Sequence, residues 1–182
     1  MKARHFLFST VAVAALAFAA PSFAESIAYV NIQEIMRDST AAKSVKEQLE
    51  SKQKTYQSEM TKKEEALQKE DQELSKQRSV LSPEAFEKKA KEFKAKATSA
   101  QKDAQAKRDE LYNASSGSLS EIQKTVFEIV SKIAKEKGYN IVIPSSELLY
   151  ADSKLDITSD VLSKLNSTLP KVKVKFNGKG EE

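Results

Sequence analysis

Leu81-Ser82-Pro83-Glu84-Ala85-Phe86 is the stretch on which the fold turns. Ser82 can accept from the orphan N–H groups of a helix start, and Pro83 suits the first helical position, where its missing donor costs nothing. Glu84 fits the positive end of the dipole, and Leu81 and Phe86 flank the cap as a hydrophobic staple. Around this hexapeptide, residues 41 to 133 hold one proline, Pro83, and one glycine, Gly117. The rest are mainly Lys, Glu, Gln, Ala, Leu and Ser, most of which lose little on entering a helix. Two helices therefore flank a tight turn near 81–83, with arms of roughly 60 Å at a rise of about 1.5 Å per residue.

The seams of the arms predict an antiparallel coiled coil. In the second arm Phe86, Ala90, Phe93, Ala97, Ala100, Ala104 and Leu111 follow a heptad pattern. It changes phase through Leu111, Ser115, Leu119, Ile122, Val126, Ile129 and Ile133, and the two spacings of four across Ser115–Ser118 are a stutter. The first arm offers Val45, Leu49, Tyr56, Met60, Leu67, Leu74 and Leu81, with Lys63, Glu70 and Gln77 where complementary apolar residues are due. Thin, compliant arms are expected, firmest near Ile122 to Ile133.

The leader predicts export. Lys2 and Arg4 precede an apolar run, Phe6 to Ala20, too short to span a bilayer, and Ser22-Phe23-Ala24 places small residues before a cut at Glu25. Residues 1–24 thus read as a secretory signal peptide. Its removal takes away His5, the one histidine, and leaves 28 basic against 26 acidic residues, from totals of 30 and 26.

The remaining residues predict a small β-rich body built from both chain ends, 25–40 and 137–169, with the arm 41–136 inserted between. Ser26 to Ile32 and Tyr139 to Ile143 read as strands, and Glu147 to Ala151 as a third. Ile32, Ile35 and Met36 suggest a helical turn before the cluster Asp38-Ser39-Thr40, any member of which could cap the first arm. Lys135-Glu136-Lys137-Gly138 stops the second arm. A last helix opens at Thr158 as cap, with Asp160 in its first turn and Val161, Leu162, Leu165 and Leu169 on its apolar face. Beyond Pro170, residues 170–182 read as a flexible tail, with an edge strand over Lys171 to Phe176 as the alternative. The fold class is α+β: a small sheet body shared in an oligomer, carrying a long coiled-coil hairpin. A body this small, with open sheet edges, calls for partners.

Catalysis finds few residues to use. Without Cys, and without His after cleavage, most nucleophile–base pairs and the usual zinc ligands are absent. The carboxylates sit among lysines, and pairs such as Glu59–Lys63 read as solvated helix surface. No catalytic, cofactor-binding or metal-binding residue is assigned, and no nucleic-acid partner. Charge, however, is segregated. From Lys76 to Arg108 there are ten basic and four acidic residues, net +6, whereas 45–74 and 109–136 are each −2. A basic tip on an acidic stem suits an anionic client or surface approached tip first, although Lys/Glu-rich helices also serve solubility alone.

The two ends of the chain resemble a known family. Ile27-Ala28-Tyr29-Val30-Asn31-Ile32, then Tyr139-Asn140-Ile141-Val142-Ile143, Leu149-Tyr150-Ala151-Asp152 and Asp156-Ile157-Thr158-Ser159-Asp160-Val161-Leu162, are similar to the Skp (OmpH-like) periplasmic chaperones. The resemblance implies a homotrimer with a shared β-body and three hairpins around a cavity. That cavity holds unfolded outer-membrane β-barrel proteins in the periplasm without ATP. Candidate client contacts are Phe86 and Phe93 with Lys88, Lys89, Lys91, Lys94 and Lys96. Candidate oligomer contacts are Tyr29, Val30, Ile32, Ile141, Val142 and Ile143. No lipopolysaccharide site carries over. The competing readings are an exported coiled-coil scaffold or tether, and a peripheral binder of anionic envelope lipid.

Overall fold

The computed structural model describes residues 26–176, so the expected signal peptide, its cleavage site and residues 177–182 lie outside the described residues. Strand β1 (Ile27–Val30) leads into helix α1 (Ile32–Asp38). Two long helices follow, α2 (Thr40–Gln77) and α3 (Pro83–Lys137), then β2 (Ile141–Pro144) and α4 (Thr158–Thr168).

Each long helix opens on a serine cap, Ser82 as expected and Ser39 out of the three candidates Asp38, Ser39 and Thr40. Ser39 Oγ accepts from the Ala42 amide at 3.2 Å, and Ser82 Oγ from that of Ala85 at 3.3 Å, with Pro83 in the first turn. Gly138 ends α3 at φ 73°, a left-handed cap that an L side chain rarely adopts. With 55 residues, α3 is about 80 Å long, because its last turns form part of the body as well as the arm. It runs unbroken through Gly117.

The strands pair in parallel, Ile27 opposite Ile141 and Tyr29 opposite Ile143. A long helical crossover permits that arrangement, and a tight hairpin does not. The sheet has these two strands only, among the described residues. The third strand expected at Glu147–Ala151 does not form. Ser145–Glu147 is a 3₁₀ turn, and Leu149 and Tyr150 stand 107% and 87% exposed. Within one chain this segment finds no backbone partner at a sheet edge, so its β-like side chains have no ladder to join. Tyr29 bridges instead to Asp156, with the Ile157 amide donating to the Tyr29 carbonyl at 3.0 Å.

Thr158 is not the cap of α4. Its hydroxyl accepts from the Asn31 amide at 2.8 Å, tying α4 to the start of α1, while Asp156 Oδ1 accepts from the Thr158 amide. The apolar face of α4 is as expected: Val161 and Leu165 are fully buried, Leu162 and Leu169 partly. They join Ile35, Val45, Ile122, Val126, Ile129 and Ile133 in one core at the root of the hairpin.

The segment after Pro170 departs from expectation as far as it is described. Lys171–Phe176 belongs to no helix or sheet, and Val172 and Val174 are buried in that same core. Two buried valines cover the root of α2, which a frayed tail would leave open to water.

Candidate functional site

The hairpin combines a thin apolar seam with a polar ladder. Leu49, Met60, Leu67 and Leu74 of α2 and Leu81 in the turn are each partly covered, as are Ala90, Ala97, Ala100 and Ala104 of α3. Five pairs cross between the arms: Tyr56–Glu110, Glu59–Lys107, Lys63–Asp103, Glu70–Lys96 and Gln77–Lys89, at 2.5 to 2.7 Å. Each step back along α2 equals the step forward along α3, so the pairs hold one antiparallel register. The polar residues that interrupt the first arm's seam are thus rungs rather than gaps. Glu59 and Lys63, expected to pair with each other, each reach across to α3 because the facing arm presents an opposite charge at seam height. Hydrogen bonding to Lys107 holds the Glu59 carboxyl below its usual range, and Lys63 does the same for Asp103. Exposed pairs of this kind are screened by water and individually weak, so register is their main contribution.

Nearer the body the seam differs from the expected one. Ala114 and Ser118 are buried, and Leu119 is 37% exposed, so the phase change lies between Ala114 and Val126. The seam there is filled by small side chains, Ala114 and Ser118, rather than by Leu119. The Ser118 hydroxyl is satisfied by the Ala114 carbonyl at 2.8 Å.

Phe86 and Phe93 are both half-buried. Phe93 borders two shallow grooves, one on either side of the hairpin. The first, about 440 Å³, is shared with Leu74, Gln77 and Lys89, and the second, about 500 Å³, with Leu67, Gln68 and Asp71. The five candidate lysines divide. Lys89 and Lys96 are committed to the ladder. Lys88, Lys91 and Lys94 are exposed and make no ion pair among the described residues. At the turn, Val80 is 81% exposed beside Arg78.

The candidate oligomer contacts divide in the same way. Ile141 is 46% exposed, and Tyr29, Ile32, Val142 and Ile143 are partly covered. Val30, by contrast, is 3% exposed and packs within its own chain, because β1 alternates and turns that position inward. Burial and the neighbouring Asp156 raise the pKa of the Tyr29 phenol. Residue types alone did not single out as contacts Ile27, Leu149, Tyr150, Leu155 and Phe127, each of which is an exposed large apolar side chain. The Leu149-Tyr150 pair was legible as apolar, but it read as strand. Among the described residues, no helix is long and apolar enough to cross a membrane, and no cluster of acidic or histidine side chains could hold a metal ion.

Comparison with known proteins places these features in context. The family described as outer membrane protein (OmpH-like) matches residues 26–165. The Chaperone protein Skp of Photorhabdus luminescens is 31% identical over 152 residues, 83% of this chain and 92% of the relative. That of Photorhabdus laumondii is 30% identical over 142 residues, 78% of this chain and 86% of the relative. A crystal structure from Caulobacter crescentus described as an OmpH-like outer membrane chaperone superposes with a TM-score of 0.79 at 17% identity, covering 97% of this chain and all of that one. At that identity the likeness speaks for the fold.

Proposed function

Since the chain belongs to the OmpH-like outer membrane protein family, we propose that it is an ATP-independent periplasmic holdase for unfolded outer-membrane β-barrel proteins. The observation that carries this reading is the surface the single chain leaves uncovered. A two-stranded sheet with Ile27, Ile141, Leu149, Tyr150 and Leu155 exposed around it is an incomplete core. Strands and edges of that kind are completed by copies of the same chain, and a trimer would hang three hairpins from one body. Between the arms a client meets half-covered Phe86 and Phe93 and the unpaired Lys88, Lys91 and Lys94. Many weak contacts of mixed type suit a client without fixed shape, and no single deep pocket is needed. The same lysines would give a transient attraction to an anionic membrane surface.

Two measurements test the proposal together. Native mass should give a trimer that gains one mass increment with an unfolded barrel protein. Light scattering should show that trimer suppressing the client's aggregation without nucleotide. A folded monomer, or undiminished aggregation, would overturn it. A rigid scaffold is the second reading, favoured by the unbroken 55-residue helix and its ladder of rungs. It requires aggregation to proceed unchanged in the presence of the protein.

A further inference from the structure

The segment 171–176 is held like a bound peptide rather than like a chain end. Its backbone is engaged by one side chain. Gln48 Nε2 donates to the Val172 carbonyl at 2.8 Å, and Gln48 Oε1 accepts from the Val174 amide at 3.1 Å. A primary amide placed this way offers the donor and acceptor that a neighbouring strand would offer. The side chains keep the strand period: Val172 and Val174 are buried, and Lys171, Lys173 and Lys175 are exposed. Charge is matched as well. Lys173 and Lys175 line a groove of about 590 Å³ with Asp109, Glu110 and Glu121 of α3. Within it Glu110 Oε1 is buried without a hydrogen-bond partner. Phe176 closes the segment, with Lys52 Nζ 5.2 Å from its ring. The segment lies beyond the residues that the family profile matches.

Nothing in this recognition depends on covalent connection: two backbone groups, a period of two, and alternate positive charge suffice. We propose that residues 171–176 occupy, in cis, a seat at the arm root for an extended segment that alternates apolar and basic side chains. Unfolded barrel segments of that pattern displace them. The inference rests on the holdase reading for its client, since strands of membrane barrels alternate with the same period. The cis segment then acts as a competitor, lowering the apparent affinity for an added segment by the fraction of time it is out.

The test uses the full chain and a labelled peptide of sequence Lys-Val-Lys-Val-Lys-Phe, followed by fluorescence anisotropy. Weak binding is expected for the native chain. Val172→Lys with Val174→Lys should empty the seat and tighten binding about tenfold or more. Adding Gln48→Ala should remove the gain, and the reordered peptide Lys-Lys-Lys-Val-Val-Phe should show none. Equal binding by the native and emptied chains, or a gain that survives Gln48→Ala, overturns the seat. Should the double variant lose helicity, the native chain supplies the readout: excess peptide should speed exchange of the Val174 amide, and unchanged exchange overturns the seat. Client aggregation separates the two ideas. Suppression without any peptide effect removes the seat alone, whereas displacement without suppression removes the holdase reading alone.

Discussion

Ile122 illustrates how much a single position can carry in so slender a molecule. It is fully buried where α3 enters the body, in the same cluster as Val45, Val161 and Val172. Ile122→Ala should cost about 2–5 kcal/mol, because the surroundings collapse only partly onto the cavity. Urea unfolding should show this as a lower midpoint with an unchanged slope. Titrating residues act more locally. The carboxyls of Glu59 and Asp103 are depressed in the folded chain by Lys107 and Lys63. Their stabilising effect is therefore full above the unfolded carboxylate range, near about pH 4, and disappears as pH falls through the lower folded values. Amide exchange in the middle of the arms, corrected for its intrinsic pH dependence, should accelerate on acidification across that window. Lys63→Met with Lys107→Met should flatten the dependence. The identities of these carboxyls were plain in the sequence, but their partners were not. Glu59 has Lys63 one helical turn away and Lys107 across the hairpin, and only the facing arm decides between them.

At the scale of the element, the two arms are matched by register more than by buried area. The heptads of α2 and α3 were legible because leucines and alanines recur with helical spacing. The breaks at Lys63, Glu70 and Gln77 looked like weaknesses because a one-dimensional pattern shows no complement. In the folded hairpin each break has a rung opposite it. Glu70→Lys should place like charges at the Lys96 rung and speed exchange from about residue 64 to 77, while Ile122 to Ile133 stay protected. Combining it with Lys96→Glu should restore protection, since the swap rebuilds the pair with its sign reversed. If the double variant exchanges as fast as the single one, the rung contributes nothing to register.

For the whole molecule, the expectation is that folding of the body and assembly are one event. Ile141 is exposed on a strand with an open edge, so in the proposed oligomer Ile141→Asp should cause dissociation and melting of the body together, seen as a joint, concentration-dependent loss of mass and helicity. The arms answer to a different variable. Reversing Lys88, Lys91 and Lys94 to Glu leaves the ladder intact, because those three make no rung. Capture of an acidic unfolded client should slow and lose its salt dependence, read by stopped-flow fluorescence, while oligomer mass stays constant. Capture that is unaffected at low salt would mark these lysines as solvent-facing only.

Features governed by neighbours along the chain could be read from the residues alone. The cap Ser82, the proline that opens α3, the glycine that ends it, and the apolar spacing of both arms follow from backbone donors, φ angles and helical period, whereas Ser39 was one of three candidate caps until the fold selected it. Other features depend on groups distant in sequence and close in space, and emerge only in the folded chain. Thr158 serves α1 rather than its own helix, because its hydroxyl accepts from the Asn31 amide. The β-like stretch Glu147–Ala151 stays unpaired, because a strand is defined by its neighbour and one chain provides none. And Lys171–Phe176, whose composition reads as a loose end, is drawn onto the root of the arm, because Gln48 supplies the two hydrogen bonds and the core supplies the cover that an isolated strand lacks.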